Sequence, residues 1–360
     1  KLRLLSGLTS EEPRWKRCLA TANVLEIAVG KLYANRYFRE PERVEAASMV
    51  DSLQNEFEMI LEESDWMDAE TKSKAKEKTA VFLKHIGYGD RVKDGKILDE
   101  YYKNISYDEK ISPFDASIKL FHWANDFMSR QLLIPIDKNE FMSGAATINA
   151  FYSETRNSIT FPAGILQQPI FQGNNLRSIN FGGIGSVIGH EITHGFDDQG
   201  SLYDGQGNLK NWWTKESKGR FDQKTECVVR QYDKYHLPEV AMNVNGKLTV
   251  GENVADIAGV KISYRAFEKY IEEHGNEQRL PGLEDLTDHQ LFFLSFARFH
   301  CEKAEPEALI NDLLTDVHSP SKIRVLGTLS SSDSFAKAFN CPAGTPYNPL
   351  PSDSTKCQVW

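Results

Sequence analysis

The chain has 360 residues, 40% hydrophobic and 26% charged, the composition of an ordinary globular protein rather than a disordered or fibrous one. Its formal charge of −9 argues against nucleic acid as the main partner, because a phosphate binder usually shows a basic face. No stretch approaches the roughly 18 consecutive apolar residues that a membrane-spanning helix needs.

This length predicts two domains, or one large domain with an accessory lobe. The opening Lys1-Leu2-Arg3-Leu4-Leu5 lacks a signal-peptide layout, so any export signal or anchor is expected upstream of Lys1. From Trp15 to Tyr37 apolar residues recur at helical spacing, among them Leu19, Val24, Ile27 and Leu32, and such stripes are read as core packing. Pro41 can open a second helix with Val50, Leu53, Phe57, Ile60 and Leu61 on one face. Asp68 has the character of an N-cap for a third, and Gly87 sits where that helix is expected to stop. Asn104-Ile105-Ser106 is a glycosylation sequon, a pattern that also arises by chance.

Near Ser112-Pro113 the texture changes. Thr147 to Tyr152 and Ser158 to Phe161 read as β-rich runs, the second closed by Pro162. Helical periodicity resumes at about Gly183. A long helix is expected from Asn253 to His274, with Ile257, Val260, Tyr264, Phe267 and Ile271 on one face and Gly275 as its stop. Thr287 and Gln290 form a capping box ahead of Leu291, and residues 342–351 read as loop. The expected division is a helical lobe over 1–112 and a mixed lobe over 113–360 that holds the motifs.

The five cysteines, Cys18, Cys227, Cys301, Cys341 and Cys357, form no CxxC pair, which disfavours a cysteine metal site. An odd count suggests a free thiol or a partner elsewhere if the chain is secreted; five buried cytosolic thiols is the plainer alternative.

The decisive run is His190-Glu191-Ile192-Thr193-His194. On a helix, positions i and i+4 share a face, so both imidazoles can reach one zinc ion while Glu191, on the neighbouring arc, can reach its water. Alone, the pattern also fits two ordinary histidines on a helix. A catalytic zinc keeps three protein ligands. A third histidine in HExxHxxGxxH spacing is excluded, because Asp197 and Gly200 stand at the glycine and histidine positions. The best remaining candidate is Glu252, in Gly251-Glu252-Asn253-Val254-Ala255-Asp256. Asp256, again at i+4, could accept the free ring N–H of His190 or His194. Two solvated acids near a helix start remain the alternative. Gly182-Gly183-Ile184-Gly185 fails the GxGxxG spacing and reads as close packing near the metal helix.

Asn149-Ala150-Phe151-Tyr152, His190 to Asp197, Gly251 to Asp256, Asp316-Val317-His318-Ser319-Pro320 and Cys357-Gln358-Val359-Trp360 occur in the order seen in the neprilysin/endothelin-converting-enzyme family of zinc metallopeptidases. The resemblance is continuous from about Pro113 to Trp360 and weaker before that. It implies a mainly α fold with a small β-sheet: a zincin-type lobe carrying the HExxH helix, and a helical second lobe enclosing a cavity. It implies an extracellular protein of about twice this length, either a type II membrane ectopeptidase or a secreted relative, of which this chain resembles the C-terminal half.

The same resemblance implies one Zn2+, held by His190, His194 and Glu252, with Glu191 as the general base that activates water and His318 as the donor to the oxyanion. Asn149 and Ala150 resemble the strand edge that binds substrate backbone, and Arg324 the arginine that holds a substrate carbonyl. Ile165, Ile170 and Val187 match the apolar pocket beyond the cut bond, which implies peptide substrates cleaved before large hydrophobic residues. Cys227 looks like the partner of Cys357, while Cys18, Cys301 and Cys341 resemble cysteines paired with the upstream portion. His300 departs from the family, which has tryptophan near the cavity at that point. Rival readings are a catalytically silent peptide-binding protein of the same fold, against which the intact Glu191 argues, and a zinc hydrolase with non-peptide substrates, which Asn149-Ala150 disfavours. The isolated half is expected to be inactive if the upstream part completes the cavity.

Overall fold

A computed structural model describes residues 13–108, 110–350 and 356–360. The Lys1–Leu5 stretch and Pro351 lie outside the described residues. In chain order the helices and strands are α1 (Arg14–Ala22), α2 (Glu26–Tyr37), α3 (Glu40–Glu63), α4 (Ala69–Ala80), β1 (Leu83–Gly87), α5 (Asp90–Lys93), α6 (Gly95–Tyr102), α7 (Pro113–Gln131), β2 (Phe151–Ser153), β3 (Ser158–Pro162), α8 (Arg177–Asn180), α9 (Ser186–His194), α10 (Lys215–Tyr232), β4 (His236–Leu237), β5 (Met242–Asn243), α11 (Val250–His274), α12 (Asp288–Phe299), α13 (Pro306–Thr315), α14 (Ser321–Ser330) and α15 (Asp333–Ala338). The fold is mainly α with small sheets.

Two compact units alternate along the chain. One takes the described residues up to Arg39 with His85–Asn149 and Pro162–Gly164; the other takes Glu40–Lys84, Ala150–Phe161 and Ile165–Trp360. Residues 40–84 thus belong with the motif-bearing segments, and 113–149 with the N-terminal helices.

In the first unit, the helix expected from Trp15 to Tyr37 is broken by a 3-10 turn at Asn23–Leu25. The buried face of α2 is Ile27, Gly30 and Ala34, at i, i+3 and i+7. Leu32 falls on the opposite side and is 74% exposed, and Leu19, before the break, is 46% exposed, so the expected core stripe holds only for Ile27. Gly30 is needed because a Cβ there would lie 2.7 Å from the Ala145 nitrogen. The α7 helix begins where the texture changes, with Ser112 accepting from the Asp115 N–H at 3.1 Å and Pro113 in its first turn. Tyr101, Trp123 and Phe127 pack α6 on α7, with Tyr101–Phe127 centroids 4.9 Å apart.

In the second unit, α3 buries Val50, Leu53, Phe57, Ile60 and Leu61 as its periodicity predicts. Asp68 caps α4 by accepting from the Thr71 N–H at 2.9 Å. That helix ends at Ala80, well short of Gly87, which lies in the first unit and instead closes strand β1 at a φ of +80°. The β-rich runs form an antiparallel pair in the register Phe151↔Thr160, Tyr152↔Ile159 and Ser153↔Ser158, although only Phe151 and Tyr152 of the first run are strand. Leu83 donates to the Asn157 carbonyl at 3.0 Å at the turn of this pair. A second small pair joins His236↔Asn243 and Leu237↔Met242.

The core of this unit is the crossing of α9 and α11. A π turn, Phe181–Gly185, feeds α9, all of which is buried except His194. The glycines do pack closely: a Cβ on Gly182 would strike the Phe292 carbonyl, and one on Gly185 the Ser263 hydroxyl. At the crossing itself Gly189 faces Gly259, and a Cβ on Gly189 would lie 2.5 Å from the Gly259 oxygen. The α11 helix starts at Val250, three residues before the expected start, and stops at Gly275 with φ +82° as expected. The Thr287–Gln290 capping box opens α12. A Cys227–Cys357 disulfide, with a Cα separation of 5.7 Å, ties the last residues to α10. Trp360 is 3% exposed, its carbonyl oxygen accepting from Lys261 Nζ at 3.0 Å.

Candidate active site

Helical spacing puts His190 and His194 on one face of α9, with their Nε2 atoms 2.9 Å apart. The first turn of α11 adds Glu252, whose Oε2 lies 3.1 Å from His190 Nε2 and 3.6 Å from His194 Nε2. The three residues offer ligand atoms that all lie within 4.8 Å of one another, the one such group of three among the described residues.

The far side of each ring is already engaged. His190 Nδ1 lies 2.9 Å from Asp256 Oδ1, and His194 Nδ1 lies 2.6 Å from Asp197 Oδ2. A ring that donates its Nδ1–H to a carboxylate presents a bare lone pair at Nε2. Two such lone pairs and a carboxylate oxygen therefore converge, and Glu252 Oε2 is buried with no hydrogen bond of acceptable geometry. Three converging acceptors repel unless a cation sits among them, and two imidazoles with one carboxylate form a donor set that suits zinc. Burial opposes ionisation of Glu252, but the imidazoles of His190, His194 and His318 outweigh it and hold its carboxyl well below the ordinary range.

Glu191 is 6% exposed. Burial pushes its carboxyl up, opposed in part by His190 and His194. Asp256 accepts from Arg324 twice, Nε to Oδ2 and Nη2 to Oδ1, both at 2.7 Å. Burial raises the Asp256 carboxyl, but Arg324 overrides it and keeps it ionised. Arg324 is thus braced on the group that orients His190, and α14 is tied to α11 beside the site. His318 Nε2 lies 3.1 Å from Glu252 Oε2 and its Nδ1 lies 2.8 Å from Asp316 Oδ1. Ser319 Oγ donates to Asn253 Oδ1 at 2.8 Å, which anchors this loop on α11.

His190, Glu191, His194, Glu252, Asp256, His318 and Arg324 are therefore brought together in the second unit. Asn149 ends a segment of the first unit and Ala150 begins one of the second. Val187 is buried one turn before His190, Ile165 is buried, and half-buried Ile170 accepts from the Ile184 N–H at 3.1 Å on the turn into α9. His300 is 8% exposed at the end of α12, between Phe296 and Phe299, and burial lowers its pKa to about 4.

Sequence reasoning missed Asp197 as the partner of His194. Its signal is an acid three residues beyond the histidine, within reach across the helix end. It also left Asp316 without a role, although an acid two residues before His318 can meet the same ring. Among the cysteines, Cys18 and Cys301 are exposed and Cys341 is half-buried, none of them disulfide-bonded to another described residue. No helix among the described residues is long and apolar enough to cross a membrane.

Family profiles described as peptidase family M13 match residues 149–356 and 2–89. Neprilysin-11 of Caenorhabditis elegans is 44% identical over 360 residues, covering 100% of this chain and 42% of that protein. Human neprilysin is 42% identical over 361 residues, covering 99% of this chain and 47% of that protein. The chain therefore spans about half the length of the curated relatives it matches. The crystal structure of PepO from Lactobacillus rhamnosis superposes with a TM-score of 0.86 at 32% identity, covering 99% of this chain and 53% of that one. The Mycobacterium tuberculosis zinc metalloprotease Zmp1, solved with an inhibitor, gives a TM-score of 0.85 at 32% identity, covering 97% of this chain and 52% of that one. With a profile matched over more than half its length and these relatives along nearly all of it, the chain belongs to peptidase family M13.

Proposed function

We propose that the chain is the catalytic, C-terminal part of a longer zinc metalloendopeptidase that hydrolyses small peptides, preferring to cut before large hydrophobic residues. The observation that carries this reading is the convergence of His190 Nε2, His194 Nε2 and Glu252 Oε2 beside a buried Glu191. In this reading those three atoms hold the ion. When bound there, zinc supplies Lewis acidity toward the scissile carbonyl and lowers the pKa of a water to about 7.

The chain's own residues do the rest. Asp256 and Asp197 keep the proton on the Nδ1 atoms, so that both Nε2 lone pairs face the site. Glu191 takes the proton of the attacking water on its carboxylate and returns it to the leaving amine nitrogen; the burial that raises its pKa suits a group that must carry that proton. His318, whose pKa is raised chiefly by Glu252 and also by Asp316, donates as an imidazolium, from Nδ1 to Asp316 and from Nε2 to the oxyanion that develops on the scissile carbonyl. Arg324 offers a substrate carbonyl the N–H groups not taken by Asp256. Asn149 and Ala150 hold substrate backbone in the manner of an added strand. Ile165, Ile170 and Val187 line the apolar pocket beyond the cut bond, and such pockets separate similar side chains by only about 1–3 kcal/mol, so selectivity is loose.

All these residues lie within 113–360, the stretch proposed as the catalytic domain, with 1–112 proposed as part of the cavity-closing lobe apart from 40–84, which pack in the unit that carries the site. The parent is proposed to be extracellular, a type II membrane ectodomain or a secreted form. Its upstream portion is proposed to pair with Cys18, Cys301 and Cys341. The test compares hydrolysis of a quenched fluorescent peptide by the full-length protein and by its Glu191→Gln variant, with zinc measured in both. Loss of activity with zinc retained is the expected result. Zinc without activity in either protein points to a silent binding protein, and absence of zinc in both overturns the metal assignment. Co-expression of the upstream part with this half is expected to restore activity that the isolated half lacks.

A further inference from the structure

Outside the site, the most heavily buried Lys, Arg, Asp or Glu among the described residues of the second unit is a lysine. Lys78, in the last turn of α4, is 2% exposed. A buried ammonium is costly unless every N–H finds an acceptor, and burial lowers the Lys78 pKa to about 7. Here all three do, and none of the acceptors is a carboxylate: Nζ donates to the carbonyls of Gly195 and Gly200 at 2.7 Å each and of Tyr203 at 2.8 Å. The rings of Phe196 and Tyr152 flank it, with centroids 5.3 and 5.9 Å from Nζ.

Those three carbonyls bracket Asp197. Gly195 follows His194 directly, and its carbonyl is one that the end of α9 leaves unpaired. Gly200 joins the two ends of a relay: its carbonyl accepts from Lys78, while its N–H donates to Asp197 Oδ1 at 2.7 Å. The other oxygen of Asp197 faces His194 Nδ1 at 2.6 Å. A Cβ on Gly200 would strike the His194 carbonyl, so this turn is folded tightly back on the helix end. Asn157 reinforces the clamp, donating to the carbonyls of Lys78 and Gly205 at 3.1 Å each and accepting from the Tyr152 hydroxyl at 2.9 Å.

We infer that Lys78 is a positioning residue for the metal site: its ammonium holds the turn that follows α9, and through that turn holds Asp197 against His194 Nδ1. The inference rests on the zinc reading above. A guanidinium, planar and forked, does not reproduce three carbonyls gathered around one nitrogen, and a neutral side chain leaves them unpaired.

The experiment measures zinc dissociation constants by chelator competition, and the melting temperature of the zinc-free protein, on the full-length protein and its variants. Lys78→Met is expected to raise the zinc Kd by about tenfold or more, the usual effect of disturbing a ligand's supporting partner. Because Lys78 acts through Asp197, Lys78→Met combined with Asp197→Asn is expected to bind zinc no worse than Asp197→Asn alone. Asp68→Ala, which removes the N-cap at the far end of the same helix, is expected to lower the melting temperature and leave the zinc Kd unchanged. Should Lys78→Met fail to fold, Asn157→Gly decides: its backbone sits at φ 51°, which glycine tolerates, and loss of its amide loosens the same clamp, so a smaller rise in Kd is expected. An unchanged zinc Kd in the folded Lys78→Met or in Asn157→Gly, or losses that multiply in the double variant, overturns the inference. A wild-type protein that binds no zinc sinks the functional reading itself, and this inference with it.

Discussion

Gly259→Ala tests whether the close approach of α9 and α11 sets the metal geometry. A Cβ at position 259 would lie 2.6 Å from the His190 nitrogen, 2.9 Å from the Ser186 oxygen and 3.0 Å from the His190 Cα. Ordinary contact begins at 3.4 Å, so one helix must retreat from the other by about 0.8 Å. His190 rides on α9 and Glu252 on α11, and metal–ligand distances tolerate only about 0.2 Å. Overpacking of this kind costs about 1–3 kcal/mol, and the better helix propensity of alanine offsets about 1 kcal/mol of it. The expected outcome is a zinc Kd raised at least about tenfold, equivalent to about 1.4 kcal/mol, with a smaller change in the stability of the zinc-free protein. Chelator competition and thermal melts with and without zinc measure both. Gly219→Ala on α10, where a Cβ meets nothing within 4 Å, is the control and is expected to stabilise by about 0.5–1 kcal/mol with zinc affinity intact. Wild-type zinc affinity in Gly259→Ala would refute the reasoning.

Three further outcomes are expected. Burial lowers the folded pKa of His300 to about 4, below the ordinary 6.5, so the unfolded chain binds the proton more readily; stability is complete above pH 6.5 and falls as pH drops toward 4, by up to about 3 kcal/mol. Denaturant titration of zinc-free wild type and His300→Phe across that range should show the variant losing less, and parallel profiles would contradict the assignment. The Cys227–Cys357 bridge closes a sequence separation of 130 residues, so Cys227→Ser with Cys357→Ser should cost about 2–5 kcal/mol; a melt indistinguishable from the oxidised protein would count against it. Asp256→Ala leaves the Arg324 charge buried and unpaired and frees His190 Nδ1. It should cost about 3–5 kcal/mol in stability and weaken zinc binding about 10–100-fold, whereas a loss confined to peptide turnover would mean that Asp256 does not support the metal.

What the sequence by itself determined is local. Helical periodicity alone places His190 with His194, and Glu252 with Asp256, because residues four apart share a face whatever surrounds them. Asp68, Thr287 with Gln290, and Gly275 act within one turn of their own backbone, so these helix ends were legible too. Periodicity was weaker wherever burial decided. It could not show that α2 buries its small residues and exposes Leu32, nor that the stretch before Gly87 runs as a strand. The alternation of the two units along the chain leaves no trace in composition. Only the tertiary structure decided which ring Asp256 supports, that Arg324 braces it from 68 residues away, and that Asp197 serves the other ring. It alone brought Lys78 to the turn beyond α9, across separations of 117 to 125 residues. A buried lysine is stable only where the whole fold gathers acceptors around it, and nothing in its neighbours along the chain encodes that meeting.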